Sequence, residues 1–545
     1  MQLPAKQAGT FWLKATHNLF DICKRQAAER IVYDPPPLVY FVMKKLSLAL
    51  DQLVPILLGF GLAAIYLATM APGLTWANYG TDGGDLVTAA ATGGVAHPSG
   101  YPVYLLIAQL FQLIPIGSLA YRTNLMSGVA MTSAATIVYG SVTRFLSGTM
   151  KRSARLPGLV AACAFGLAPL VWSQAVITEV YALQAFFVAL IVYLCTSPVS
   201  LRRDRLSGFV LGLALGTHLT TALLIPVVLL ANAIRKRMPD DHATPFRSSW
   251  RRGFYLNWES LLWQISFLLI GSLIYLILPL RASLHPLINW GDPVTPQRFW
   301  WLVSGQLYQA DLSGFAIPML WQRVQAWVVL FMRQFGLIGF ILGLTGIVVF
   351  FAPTRLHLIT LWAMVSFSVF AIIYDTSDSF VYLIPAILSF AIWIGLATSG
   401  LVEVVSGRLP RWGWVIGLLP LMYLFGLSIF NWHQVDASHD QRAEMFGREV
   451  MNSIPTHSIV FMNGDRVVFT LWYFQYALHQ RSDIVVIATD LLPFDWYRST
   501  LQSIYPDLVL PDSVDYPWLT VISEANSSRP TCYLYDADRI KVDCR

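Results

Sequence analysis

The stretch Tyr101-Pro-Val-Tyr-Leu-Leu-Ile-Ala-Gln-Leu-Phe-Gln-Leu-Ile114 decides how this chain is threaded. Counted as a membrane span, it inverts every later loop. Lys151-Arg152-Ser153-Ala154-Arg155 and Arg202-Arg203-Asp204-Arg205 then fall outside. Laid along the outer surface as a helix, it leaves both basic loops inside, where short cytoplasmic loops carry their excess of Lys and Arg. The second reading is the consistent one.

That a membrane is involved follows from composition. The chain has 545 residues, 56% hydrophobic and only 12% charged, whereas soluble domains carry about 25% charged residues. A span needs roughly 20 apolar residues, and about eleven segments serve: Ala49–Pro72, Asn124–Leu146, Leu156–Trp172, Val180–Thr196, Gly208–Thr217, Leu219–Ile234, Leu262–Leu280, Gln334–Phe351, Leu356–Tyr374, Phe380–Ala397 and Trp412–Phe430. Gly208–Thr217 is short, so it and its successor read as a hairpin with His218 at the outer tip. The net charge of +6 collects in loops between spans, including Arg235-Lys236-Arg237, Arg251-Arg252, Arg355 and the segment from Arg408 to Arg411. Such loops fit a cytoplasmic face and argue against a nucleic-acid partner.

Residues 1–48, with Pro35-Pro36-Pro37, lack the pattern of a secretory signal and read as a cytoplasmic or interfacial lead-in. Residues 49–430 form the membrane module, with outer loops 73–123 and 281–323. An odd number of crossings leaves 431–545 outside. There Ile459–Met462 and Ile484–Ala488 read as strands, and Val467–His479 and Phe494–Tyr505 as helices, giving a small α/β domain with Asn463-Gly464-Asp465 after its first strand. Cys23, Cys163 and Cys195 lie elsewhere; Cys532 and Cys544 suit a disulfide if the tail is extracytoplasmic.

The chemistry-bearing residues cluster on the outer side. Asp82 and Asp85, in Thr81-Asp82-Gly83-Gly84-Asp85, share one face if that segment is helical. A carboxylate between apolar walls can act as a general base toward a hydroxyl, and an Asp at a helix start can equally cap orphan amides. His97-Pro98-Ser99-Gly100-Tyr101-Pro102 is a turn by its Pro and Gly content, and its nearness to the aspartates makes His97 and Tyr101 candidate ligands. Glu179 opens a spanning helix, where an acid is either a dipole partner or a second acid of the same cavity. His218 is a phosphate or metal ligand, or a satisfied interfacial histidine. Arg281, at the outer end of its span, is the candidate cation for a phosphate, with a snorkelling side chain as the alternative. Asn289-Trp290-Gly291-Asp292-Pro293, with Gln306 and Tyr308, offers aromatic and polar groups to a sugar face, and Trp290 and Asp292 are the candidates from it. Asp375 and Asp378 lie in a tight outer loop, where acids so near the bilayer point to function.

These motifs occur in one order: TDGGDLVTAAATGGVAHPSGYPVYLLIAQLF, YRTNLMSG, WSQAVITEVYALQAFF, LGLALGTHLT, LPLRA with NWGDP, and YDTSDSFVYLIPA. Together they resemble a bacterial membrane family related to a eukaryotic transmembrane protein O-mannosyltransferase, over roughly Ala49 to Tyr497. The resemblance implies the GT-C glycosyltransferase fold: a polytopic α-helical membrane protein, here with a small C-terminal α/β domain. It implies transfer of a hexose, with mannose carried over only weakly, from a polyprenyl-phosphate carrier to a protein Ser/Thr or glycan hydroxyl on the outer face of a bacterial plasma membrane. Asp82 is then the expected base. Relatives commonly space their acidic pair as D-x-x-E, so the shorter Asp85 departs from the pattern. A divalent cation is left open, with Asp85, His97, Glu179 and His218 as its candidate ligands. The rival functions are a lipid-linked sugar transporter or flippase, which calls for internal repeats that the chain lacks, and an envelope scaffold without catalysis.

Overall fold

The computed structural model describes residues 37–147, 154–236, 254–313, 317–349, 354–409, 412–511, 517–534 and 542–545. Cys23, Pro35, Pro36, Lys151, Arg152, Ser153, Arg237, Arg251, Arg252 and Arg411 lie outside those residues. The chain forms two compact units, Met1–Val54 and Pro55–Arg545, and the second carries everything that follows.

Among the described residues, seven helices are long and apolar enough to cross a bilayer, and an eighth span results if Arg155–Gly166 and Pro169–Ala175, bent by 68°, count as one. The protein is an integral membrane protein. Phe60, Leu269, Ile429 and Phe430 remain exposed on these helices, apolar surface of the kind lipid covers. Each of the about eleven expected segments is helical. Three of them, Val180–Thr196, Leu201–Leu215 and Leu219–Ala233, fall short of a full span on their own.

Some boundaries differ from the sequence reading for physical reasons. The helix expected from Gly208 begins at Leu201, after a Ser200 cap whose side chain accepts from the Arg203 amide. Its two buried charges, Arg203 and Asp204, pair with each other, and Asp204 also accepts from Ser260 Oγ at 2.7 Å. Buried charge is tolerable once paired and hydrogen-bonded, so these residues sit in a helix rather than a loop. Gly208 and Gly212 press this helix onto Trp258–Ser272: a Cβ at Gly208 would stand 2.1 Å from the Gln264 carbonyl oxygen. The span expected from Gln334 begins at Leu320 and bends at Gly336, whose φ is 62°. The earliest helix among the described residues begins at Pro37, inside the expected lead-in.

Tyr101–Ile114 contains the helix Pro102–Gln112, of 11 residues. At 1.5 Å per residue it is about 16 Å long, too short for a core of about 30 Å. It packs between Gly83–Ala91 and Leu119–Ser147.

The C-terminal part is α/β. Its sheet runs in the spatial order Val485–Ala488, Ile459–Met462, Thr531–Leu534, Asp543–Cys544. The first three strands are parallel and the last is antiparallel. Ile459–Met462 and Val485–Ala488 are buried throughout, as an apolar run in a parallel sheet requires. Cys532 and Cys544, facing each other on the last two strands, are disulfide-bonded. The helix expected over Val467–His479 runs Asp465–Trp472 and continues as a wider turn, Tyr473–Ala477. It lies against Gly83–Ala91.

Candidate active site

The helix Gly83–Ala91 starts at Asp82, which occupies the N-cap position without making a side-chain cap bond. The Asp82 side chain is thereby left available, and it lines a cavity of about 440 Å³. Asp85, one turn on, is fully buried behind it. Its Oδ2 accepts from the His97 backbone amide at 3.1 Å and lies 2.7 Å from His97 Nδ1, while its Oδ1 accepts from Trp290 Nε1 at 3.0 Å. The ring of His97 is therefore held edge-on, with Nε2 3.5 Å from the Asp82 carboxylate and 3.2 Å from the Tyr101 hydroxyl. Tyr101 OH also donates to the Pro98 carbonyl at 3.1 Å.

Trp290 reaches this assembly because the loop after Arg281 is stitched to the His97 loop. Val95 N donates to Ile288 O, and Trp290 N to Val95 O. Burial alone would strip His97 of its proton, but Asp82, followed by the hydrogen bond and charge of Asp85, outweighs burial and lifts its pKa to about 9. The Asp82 carboxyl is pushed up to about 6, by burial first, against the opposing pull of His97. Glu179 is raised well above the usual range, by burial and then by Asp82 and Asp378.

Of the residues singled out in the sequence, Asp82, His97, Tyr101, His218 and Asp378 line this cavity. His218 caps the turn Leu219–Leu224, with Nδ1 accepting from the Thr220 amide. It sits among Tyr101, Tyr181 and Tyr382, with ring centroids 5.4 to 6.0 Å away. Burial lowers its pKa to about 3, so it is a neutral member of an aromatic wall.

The remaining candidates are placed elsewhere. Asp85 and Trp290 stand behind His97, and Glu179 is buried. Arg281 does not line the cavity: its guanidinium donates to the Gly94 carbonyl at 3.1 Å and to Gln109 Oε1 at 2.6 Å. Asp292 pairs with Arg298, which also binds Asp495, and it borders a separate cavity of about 190 Å³. Asp375 pairs with Arg323. Asp85, His97, Glu179 and His218 do not converge as metal ligands, and among the described residues no group of three or more His, Cys, Asp or Glu is placed to hold a metal ion. Asp85 is already engaged by the His97 amide, His97 Nδ1 and Trp290 Nε1.

Tyr308, from the loop read as a sugar face, also lines the cavity, and three tyrosines and two acids there are not among the candidate site residues named from the sequence: Tyr181, Tyr374, Tyr382, Asp311 and Asp465. Tyr181 follows Glu179 by two residues and Tyr382 follows Asp378 by four, so both motifs carried a signal. Asp465 comes from the α/β part, and its only signal was a turn after a buried strand.

The model of the TMEM260 protein O-mannosyl-transferase N-terminal domain matches residues 82–240, and that of the TMEM260-associated domain 2 matches residues 443–507. Over 491 residues the chain is 25% identical to the protein O-mannosyl-transferase TMEM260 of Mus musculus, covering 82% of this chain and 64% of that one. Over 530 residues it is 22% identical to the protein O-mannosyl-transferase tmem260 of Dictyostelium discoideum, covering 85% and 60%. The chain thus spans less than two thirds of the length of these curated relatives. Among solved structures it resembles ArnT from Cupriavidus metallidurans bound to undecaprenyl phosphate, with a TM-score of 0.56 and 13% identity over 90% of this chain and 94% of that one. At that identity the likeness is one of fold.

Proposed function

We propose that this chain, a GT-C-type membrane protein related to the TMEM260 protein O-mannosyl-transferases, is a glycosyltransferase that moves a hexose, in the first instance mannose, from a polyprenyl-phosphate carrier to an acceptor hydroxyl. The acceptor is a protein Ser or Thr or a glycan, the reaction inverts the anomeric centre, and it takes place on the outer face. The observation that carries this reading is the arrangement of Asp82: a carboxylate open to the cavity, free of capping duty, with His97 locked behind it by Asp85.

Asp82 takes the proton of the acceptor hydroxyl as its oxygen attacks the anomeric carbon. The carbon–oxygen bond to the phosphate breaks, and its electron pair leaves with the polyprenyl phosphate. Because a single displacement inverts, one base is enough. His97, pinned by Asp85 and Trp290, is a positioning residue that keeps Asp82 ionised. Among the described residues lining the cavity there is no Lys or Arg, so the His97 imidazolium is the cationic group that offsets the acids of its wall. Arg281 holds the scaffold between Gly94 and Gln109, a change from its expected part as the phosphate cation.

The test is reconstitution of the purified chain in vesicles with polyprenyl-phosphate mannose and a serine/threonine-rich peptide. The expected product is an O-mannosyl peptide of anomeric configuration opposite to the donor. Retention, or movement of the lipid-linked sugar across the bilayer without transfer, would overturn the reading.

A further inference from the structure

The cavity is not built by the membrane module alone. Asp465, the first residue of the helix Asp465–Trp472 in the C-terminal α/β part, lines it together with Asp82 and Asp378. Three independent features put it there. The first is topology. Ile459–Met462 has parallel neighbours on opposite sides, Val485–Ala488 and Thr531–Leu534, and in open α/β sheets ligands bind outside the carboxyl ends of the strands where the order switches direction. Asn463-Gly464-Asp465 is the loop at that carboxyl end. Asp490, just past the carboxyl end of Val485–Ala488, braces it, accepting from Asn463 Nδ2 at 2.9 Å and from the Gly464 amide at 3.2 Å.

The second is packing. The Asp465 helix lies so close to the Asp82 helix that a Cβ on Gly84 would stand 2.3 Å from the Phe469 carbonyl oxygen, and the Phe469 ring stacks over His97 at 6.2 Å with 13° between the planes. The two helices therefore start side by side, each with an aspartate at its opening. The third is the absence of any other duty for this acid: among the described residues, no salt bridge or side-chain hydrogen bond is formed by the Asp465 carboxylate. A carboxylate in that position accepts hydrogen bonds and donates none.

From this geometry we infer that Asp465 is a positioning residue for the acceptor, taking hydrogen bonds from the N–H and O–H groups that flank the acceptor hydroxyl, so that the α/β part supplies one wall of the acceptor subsite. The inference rests on the transferase reading above. Asp82 would take the proton of the reacting hydroxyl, while Asp465 would fix the rest of the acceptor in the cavity that Tyr181, His218 and Tyr382 also line.

The experiment measures transfer from polyprenyl-phosphate mannose to a serine/threonine-rich peptide by the full chain, the Asp465→Asn and Asp465→Ala variants, and Asp82→Asn. Asn keeps the shape of Asp and weakens only its role as acceptor, so it separates recognition from folding. The expected result is an acceptor KM raised at least tenfold in both Asp465 variants, with donor KM unchanged and kcat at saturating peptide within about threefold. An unchanged acceptor KM, or a parallel rise in donor KM, overturns the inference while leaving the transferase reading in place, provided Asp82→Asn is inactive. Full activity of Asp82→Asn, or no transfer by the unaltered chain, overturns the underlying reading and the inference with it.

Discussion

Asp82 and His97 are charged together near neutral pH because each stabilises the ionised form of the other: the imidazole is lifted to about 9 and the carboxyl sits at about 6. A base whose pKa lies near working pH is stronger than an ordinary carboxylate and is still ionised. The sign for activity follows. Below about pH 6 Asp82 gains a proton, so kcat/KM should fall on the acid side with an apparent pKa near 6 that belongs to the coupled pair. His97→Gln removes the neighbour that holds the Asp82 pKa down, so the acid limb of the pH–rate profile should move upward; a limb that stays put would show that the two do not communicate. The aspartates and His97 were legible in the sequence from their position after an apolar span. Their division of labour was not, because it depends on Trp290, 205 residues from Asp85. Arg281 misled for a related reason: a sequence displays a cation at a helix end but not the carbonyl of Gly94 and the side-chain oxygen of Gln109 that occupy its donors.

Between elements, the critical contact is that of Gly83–Ala91 with Asp465–Trp472. Gly84→Ala would drive a methyl carbon into the Phe469 carbonyl. Overpacking of this kind costs about 1–3 kcal/mol. The expected outcome is a lower thermal midpoint in detergent together with lost transfer, since the two helices carry Asp82 and Asp465; wild-type values for both would mean that the helices are not coupled. The existence of the long helices was legible from apolar runs alone. Where their ends fell was not. Leu201–Leu215 could extend past its charges only because Arg203 and Asp204 neutralise each other and Ser260 completes the pair, a partnership between segments far apart in sequence. Pro102–Gln112 shows the reverse case, in which counting charges in remote loops excluded a crossing that local hydropathy allowed.

For the molecule as a whole, the α/β part and the membrane module border the same cavity, and residues 443–507, which the second family model matches, contribute Asp465 to its wall. The disulfide Cys532–Cys544 closes a separation of 12 residues, and a loop near that size contributes about 3 kcal/mol. Cys532→Ser should therefore loosen the last strand, Asp543–Cys544, and expose the tail to protease, with kcat little changed because neither cysteine borders the cavity; protease resistance equal to that of the unaltered chain would contradict this. The proposed outer placement of the C-terminal part is testable separately: an impermeant thiol reagent should label a cysteine introduced at exposed Met445 in intact cells, and failure to label it would contradict that placement. The central claim is that Asp82 removes the acceptor proton. Its most direct test is the rate of mannose transfer by Asp82→Asn in vesicles supplied with polyprenyl-phosphate mannose and peptide. The account predicts a loss of about 10²-fold or more with an unaltered thermal midpoint, and transfer at the unaltered rate would contradict it.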